Sequence, residues 1–200
     1  MSVAAWQPYD DASEAYFDSY ERLSFSIVHR SLLPFLPGKG STCLDVGAGS
    51  GRDAAALARR GYAVTAVEPS LGLRVLAQRR HGSGNIRWID DNLPRLSKLR
   101  KTHEQYNFIL LSAVWMHIPP EDRHESLATL AGLLAEGGRI AITLRLGKAE
   151  EARTLHRVDA TELTELAAKF GLISIYTSRL GSDSLRRHDV TWQKVVLEKA

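Results

Sequence analysis

The sequence predicts an α/β fold, a doubly wound, seven-stranded and mostly parallel sheet. One strand is antiparallel, helices cover both faces, and a short helical cap precedes them. Three observations predict it. Strand-like and helix-like segments alternate from Thr42 onward. Tyr106–Leu111 has almost no polar residue, as expected of a strand buried on both faces. The last two strand candidates follow each other with no helix between them, which introduces the antiparallel member.

Each element has its own local reason. Tyr16, Tyr20, Leu23 and Ile27 recur at helical spacing with charged residues between them, so the chain opens on an amphipathic helix. Pro34, Pro37, Gly38 and Gly40 break it, which sets a cap over residues 1–37 apart from a domain over 38–200. Thr42–Val46 is the first strand, and the Ala/Leu-rich Arg52–Arg60 is a helix by propensity, closed by Gly61. Tyr62–Val67 is the second strand, Leu71–Arg80 a helix ended by Gly82 and Gly84, and Ile86–Ile89 the third strand. After strand four, Leu127, Leu130, Ala131 and Leu134 form one helical stripe that Gly137-Gly138 stops. Arg139–Leu144 is strand five. Asp159 and Glu162 have capping-box spacing before the helical face of Leu163, Leu166, Ala167 and Phe170. Leu172–Ser178 and Asp189–Leu197 then pair as a hairpin.

Composition excludes several classes. Of 200 residues, 44% are hydrophobic and 24% charged, which is a globular chain. The 26 Lys+Arg against 23 Asp+Glu leave a net charge of +3, too little by itself to imply nucleic acid. The Arg95–Lys101 cluster and the Arg186-Arg187 pair read as solvated faces. The single Cys43 lies inside strand one, where it reads as a small apolar residue. The longest apolar run, Phe108–Met116, is far shorter than the roughly 20 residues of a membrane span. No basic segment followed by an apolar stretch opens the chain, so a soluble, cytoplasmic domain is expected.

The sharpest motif is Asp45-Val46-Gly47-Ala48-Gly49-Ser50-Gly51-Arg52-Asp53, which joins a strand to a helix. Alternate glycines let the backbone turn tightly and approach a ligand, and the helix behind them presents unbonded amide groups. Glu68 ends strand two, where a carboxylate can accept two hydrogen bonds from a ribose diol. In open sheets of this kind ligands bind at the carboxyl ends of the strands, so residues just after strands are the functional candidates.

This G-x-G-x-G loop, opened by an acid, resembles that of the class I S-adenosylmethionine-dependent methyltransferases, a Rossmann-like family. The resemblance covers nearly the whole chain. It implies that Asp45, Gly47, Ala48, Gly49, Gly51 and Asp53 line the methionine and ribose part of the cofactor. Glu68-Pro69-Ser70 corresponds to the ribose-binding segment. Asp90-Asp91-Asn92 corresponds to the segment with an acid at adenine; Asp91 is the preferred contact and Asp90 a solvated charge. Ser112 and Ala113 open the segment after strand four that borders cofactor and substrate. S-adenosyl-L-methionine is the implied cofactor and S-adenosyl-L-homocysteine its product.

Methyl transfer is an in-line displacement that depends mainly on positioning, so the motif says little about a catalytic group. His117 is the candidate base, weighed against a packing or capping role. Trp115 and Met116 are read either as pocket wall or as core, and Arg145 either faces an anionic substrate or makes a surface ion pair. Tyr16 and Tyr20 are candidates for a lid drawn from the aromatic N-terminal segment, which also holds Trp6, Tyr9 and Phe17. His156 and Arg153 border the same edge. His29, His81, His103 and His124 read as surface residues, and no metal motif is present. The expected partner is a small-molecule methyl acceptor, with no nucleic acid and no membrane. The competing readings are a cofactor-binding regulatory protein without turnover and an NAD-dependent oxidoreductase.

Overall fold

The computed structural model describes residues 5–82, 85–147, 155–185 and 187–199. Arg153 and Arg186 lie outside the described residues. The chain opens with α1 (Gln7–Asp11), α2 (Ser13–Glu21) and α3 (Phe25–Val28), then a 3-10 segment over Arg30–Phe35. The expected single amphipathic helix is therefore broken. Ser24 is extended (φ −84°, ψ 127°), which resets the helical phase, and Ile27 is left 67% exposed. Phe25 turns inward instead, with the Arg60 guanidinium 4.5 Å over its ring.

The alternating region follows as β1 (Thr42–Val46), α4 (Arg52–Ala58), β2 (Ala63–Val67), α5 (Leu71–His81), β3 (Ile86–Ile89), α6 (Ser97–Arg100) and β4 (Tyr106–Leu111). Then come α7 (Arg123–Leu133), β5 (Leu134–Gly147), α8 (Ala160–Ala168), β6 (Leu172–Thr177), β7 (Gly181–Ser182) and β8 (Val190–Lys199). The strand order is β3-β2-β1-β4-β5-β8-β6, and β7 adds a two-residue edge to β8. The neighbours from β3 through β5 are parallel, and β8 runs antiparallel to both β5 and β6. The doubly wound sheet with its terminal hairpin is as the sequence predicts. The additional strand, β7, is two residues long, too short to leave a periodic signal.

Period-two alternation divides the sheet into two cores. Leu44, Ile109, Leu111, Ile140 and Ile142 face one layer, packed with Leu127 and Leu130 of α7 and Leu163 of α8. Cys43, Val64, Phe108, Leu110 and Val196 face the other, with Ala54 and Leu57 of α4 and Leu32 of the 3-10 segment. Cys43 is fully buried there. Each fully buried Leu or Ile contributes about 2 kcal/mol of transfer free energy.

Two local expectations are corrected. α7 ends at Leu133, before Gly137-Gly138. Leu134 already pairs with Tyr106, and Phe108 next pairs with Arg139, so residues 135–138 bulge out of register with Gly137 at φ +64°. At α8, the Asp159 carboxylate caps the helix by accepting from the Thr161 and Glu162 amides (2.7 and 3.2 Å). The Glu162 carboxylate instead takes the buried Arg123 guanidinium at 2.8 Å.

Candidate active site

Strand order reverses between β1 and β4, and the crevice opens at their carboxyl ends. The loop after β1 is held by Gly47 and Ala48 amides donating to the Val67 carbonyl (2.8 and 2.9 Å). Gly47 has φ +69°, and a Cβ there would lie 2.6 Å from Val114 Cγ2. Gly51 has φ +79°, and a Cβ would lie 2.7 Å from the Trp88 ring. Both glycines are thus required by backbone conformation and by close approach.

Glu68 fixes this loop to the next crossover. Its Oε2 accepts from the Gly49 amide at 2.7 Å and its Oε1 from the Ser70 amide at 2.8 Å. Burial pushes its pKa up to about 7, against the lowering by the Ser70 and Gly49 amides and by Arg74.

A cavity of about 820 Å³ occupies the crevice. Its wall includes Asp45, Gly47, Ala48, Gly49 and Asp53 from the β1–α4 turn, Glu68 and Pro69 after β2, and Asp91 and Asn92 after β3. Ser112, Ala113, Met116 and His117 follow from the segment after β4, Arg145 from β5, and Tyr20 from α2. Five other sequence candidates stand off the wall. Gly51 packs under the Trp88 ring. The Ser70 hydroxyl accepts from the Leu73 amide as N-cap of α5. Asp90 points outward to Lys98 at 2.8 Å. Tyr16 stacks between Tyr9 and Tyr20 (centroids 4.7 and 5.9 Å). Trp115 lies in the core, 1% exposed. Of the adjacent acids, only Asp91 reaches the cavity, with its carboxylate accepting from the Asn92, Lys98 and Leu99 amides.

The crevice concentrates buried carboxylates. Asp45 is fully buried, and among the described residues neither of its oxygens has a hydrogen-bond partner of good geometry. Burial, with repulsion from Asp53 and Glu68, holds its pKa well above the usual carboxylate range. Asp53 shows the opposite behaviour. Burial opposes its ionisation, but His29 and Arg52 overcome it and hold the pKa far below the ordinary value. His29 Nε2 lies 2.9 Å from Asp53 Oδ2 and 3.4 Å from Ser112 Oγ, and Arg52 donates two bonds to the same carboxylate (2.6 and 2.8 Å).

The placement of His29 corrects the surface reading, since it is wholly buried. His81 is corrected too, because its side chain is 10% exposed beside Glu21. His103 and His124 are exposed. His156 lies off the cavity wall, where its amide donates to the Met116 carbonyl at 2.8 Å.

The N-terminal helices are clamped over this crevice by polar contacts that sequence periodicity does not signal. Asp10 Oδ1 accepts from the Ser70 hydroxyl and the Gly72 amide (2.7 and 2.9 Å). Glu21 Oε1 accepts from the Ser50 hydroxyl at 2.8 Å and lies 3.3 Å from His81 Nε2. The clamp brings the Tyr9 hydroxyl to 3.0 Å from His117 Nε2, with the rings edge to face at 5.6 Å. Tyr9 also lines the cavity. It belonged to the aromatic set, but one chain position carries no sign of a partner more than 100 residues away.

The cavity continues beneath the β6–β8 connection. There Asp183 is buried and accepts from Arg187 and from the Trp192 indole (2.9 and 2.7 Å). Burial opposes its ionisation, yet these bonds hold its pKa at about 2. Lys194 on β8 lines the same region. Among the described residues no group of His, Cys, Asp and Glu could hold a metal ion, and no helix is long and apolar enough to cross a membrane.

Residues 16–179 match a sequence family described as a methyltransferase domain. The chain belongs to the methyltransferase domain family. An uncharacterized methyltransferase of Mycobacterium tuberculosis is 33% identical over 118 residues, covering 58% of this chain, and its Mycobacterium bovis counterpart matches equally. The chain spans about 57% of the length of these curated relatives.

The fold is shared with solved methyltransferases at low identity. A Burkholderia thailandensis 1,6-didemethyltoxoflavin-N1-methyltransferase, solved with its acceptor and S-adenosylhomocysteine, superposes with a TM-score of 0.68 at 20% identity. That likeness covers 100% of this chain and 92% of the other. The magnesium protoporphyrin IX methyltransferase of Synechocystis, with bound S-adenosylmethionine, gives 0.67 at 18% identity over 100% of both chains. A Haemonchus contortus phosphoethanolamine N-methyltransferase gives 0.73 at 16% identity, over 99% of this chain and 60% of that one.

Proposed function

We propose that the protein is an S-adenosylmethionine-dependent methyltransferase acting on a small-molecule acceptor. The observation that carries this reading is Asp45. A buried carboxylate without a hydrogen-bond partner of good geometry is unfavourable by about 1–3 kcal/mol or more. It is satisfied when a cationic group enters the adjoining cavity, and the ammonium and sulfonium of S-adenosylmethionine are such groups. The surrounding residues fit the rest of that molecule. Each Glu68 oxygen accepts one amide and keeps a lone pair for a ribose hydroxyl. Gly47 and Gly49 leave space beside the backbone, and Asp91 and Asn92 border the far side for an adenine.

When bound, S-adenosylmethionine supplies a methyl group whose bond to sulfur breaks with the electron pair staying on sulfur, as the acceptor's nucleophile bonds to carbon. The chain's own residues orient the acceptor and hold the proton that the nucleophile loses. His117 Nε2 is the atom placed to take it: the Tyr9 hydroxyl holds the imidazole through that nitrogen until the acceptor's nucleophile takes its place. In this reading residues 1–37 act as a cap that completes the acceptor side, and Tyr20 is its nearest ring to the glycine loop.

Calorimetry with S-adenosylmethionine, S-adenosylhomocysteine and NAD tests the cofactor. Saturable NAD binding without S-adenosylhomocysteine binding overturns the proposal. A radiolabelled methyl screen over small phenols, acids, amines and thiols tests turnover; binding with no transfer to any of them favours the regulatory reading. His117→Asn is expected to lower turnover roughly 10²–10⁴-fold while leaving S-adenosylhomocysteine affinity unchanged. Tyr9→Phe is expected to give a smaller loss with a displaced pH profile. A full rate at every pH for His117→Asn refutes the base assignment.

A further inference from the structure

Among the described residues, the charges on the cavity wall are divided by region. Toward the glycine loop, four carboxylates (Asp45, Asp53, Glu68 and Asp91) outnumber one cation, Arg52. Toward β5, β8 and the connection before β8 the balance reverses, with Arg145, Arg179, Arg187 and Lys194 against Asp183. Asp183 is already committed to Arg187 and Trp192.

On the floor of this second region, β5 and β8 pair so that Thr143 faces Lys194 and Arg145 faces Trp192. All four line the cavity, on the one face that residues two apart on paired strands share. Lys194 and Arg145 are diagonal neighbours on this face, about 7–8 Å apart and within reach of one ligand group through their long side chains. Lys194 is partly buried, and its ammonium donates to the Val28 carbonyl. Among the described residues no carboxylate lies within 4 Å of it. Among the described residues a neutral carbonyl alone holds this half-desolvated ammonium, which leaves it incompletely compensated, and an entering anion compensates it.

We propose that the methyl acceptor carries an anionic group, a carboxylate or a phosphate, which seats on the Lys194 ammonium at the β5–β8 floor, on the face it shares with Arg145. The proposal rests on the methyltransferase reading and names its acceptor class. Burial lowers the Lys194 pKa, in keeping with an ammonium that gains from a counter-charge.

The test uses the full chain, with and without S-adenosylhomocysteine, titrated by calorimetry with inorganic phosphate, with benzoate and with neutral benzamide. At least one anion is expected to bind about tenfold or more tightly than benzamide, and the arm that binds identifies the oxyacid. Lys194→Met should weaken that anion about tenfold, Lys194→Arg should retain it, and S-adenosylhomocysteine affinity should change less than twofold in both. Equal binding of benzoate, phosphate and benzamide overturns the proposal, as does equal anion loss in Lys194→Arg and Lys194→Met. If S-adenosylhomocysteine fails to bind wild type, the cofactor reading falls, while the anion titration of the ligand-free chain still reads the seat itself.

Discussion

Glu68→Gln separates a buried, late-ionising carboxyl from an ordinary surface one. In the folded chain Glu68 is 5% exposed with a pKa of about 7, against 4.5 for an unperturbed glutamate. Its pKa is raised on folding, so its stabilising contribution is complete below pH 4.5 and is lost as the pH rises through 7. The difference is about 2.5 units, or about 3 kcal/mol over the full window. Between pH 5 and pH 8 the same linkage removes about 2.5 kcal/mol.

Glutamine reproduces the neutral shape but not the titration. It also turns an NH₂ toward either the Gly49 or the Ser70 amide, a penalty that does not vary with pH. Urea denaturation of the ligand-free protein at several pH values should show wild type losing about 2.5 kcal/mol relative to the variant between pH 5 and 8. Parallel stability curves, offset by a constant, would falsify the claim that burial governs this carboxyl. The ribose role is read separately: Glu68→Ala should cost about 1–3 kcal/mol of S-adenosylhomocysteine affinity, and unchanged affinity refutes it.

Two further perturbations test the architecture. His29→Ala removes one of the two partners of a buried carboxylate and should lower stability by about 3 kcal/mol in chemical denaturation. Because the Asp53 pKa is depressed, its contribution holds above its unperturbed value of 3.8 and fades as the pH falls below it. Wild type should therefore lose its advantage over His29→Ala in acid, and an unchanged gap at low pH contradicts the pairing. Gly47→Ala places a Cβ 2.6 Å from Val114 Cγ2 at a left-handed φ, for an expected loss of about 2–4 kcal/mol. Adding Val114→Ala should restore the steric part and leave the roughly 1–2 kcal/mol of the conformation; a fully stable single variant refutes the tight-approach argument.

Whatever depended on local pattern was legible in the sequence. The nearly all-apolar run of β4, the propensity of α4 and the helix-free gap between β6 and β8 predict the doubly wound sheet and its hairpin. Glycines at 47, 49 and 51 with an acid at 68 located the crevice, because positive φ and a strand-end carboxylate are local requirements. Periodicity failed where one residue reset it. Extended Ser24 rotated the following turn, so Ile27 faced solvent and Phe25 the core. Gly137-Gly138 lies in a bulge and not at a helix stop, since a glycine pair suits either and only strand register separates them.

The tertiary structure decided which chemically similar residues meet. Nothing local distinguishes His29 from His103, yet one is sealed against Asp53 and the other is exposed. Asp90 and Asp91 are separated only by the direction in which the chain leaves β3, and Tyr9 reaches His117 where Asp10 and Glu21 anchor the N-terminal helices. Propensity and alternation act over a few residues and are written in the chain. The partner of a buried charge or of a lone lysine is set by packing between segments distant in sequence, and only the folded arrangement of β1, β5, β8 and the N-terminal helices determines it.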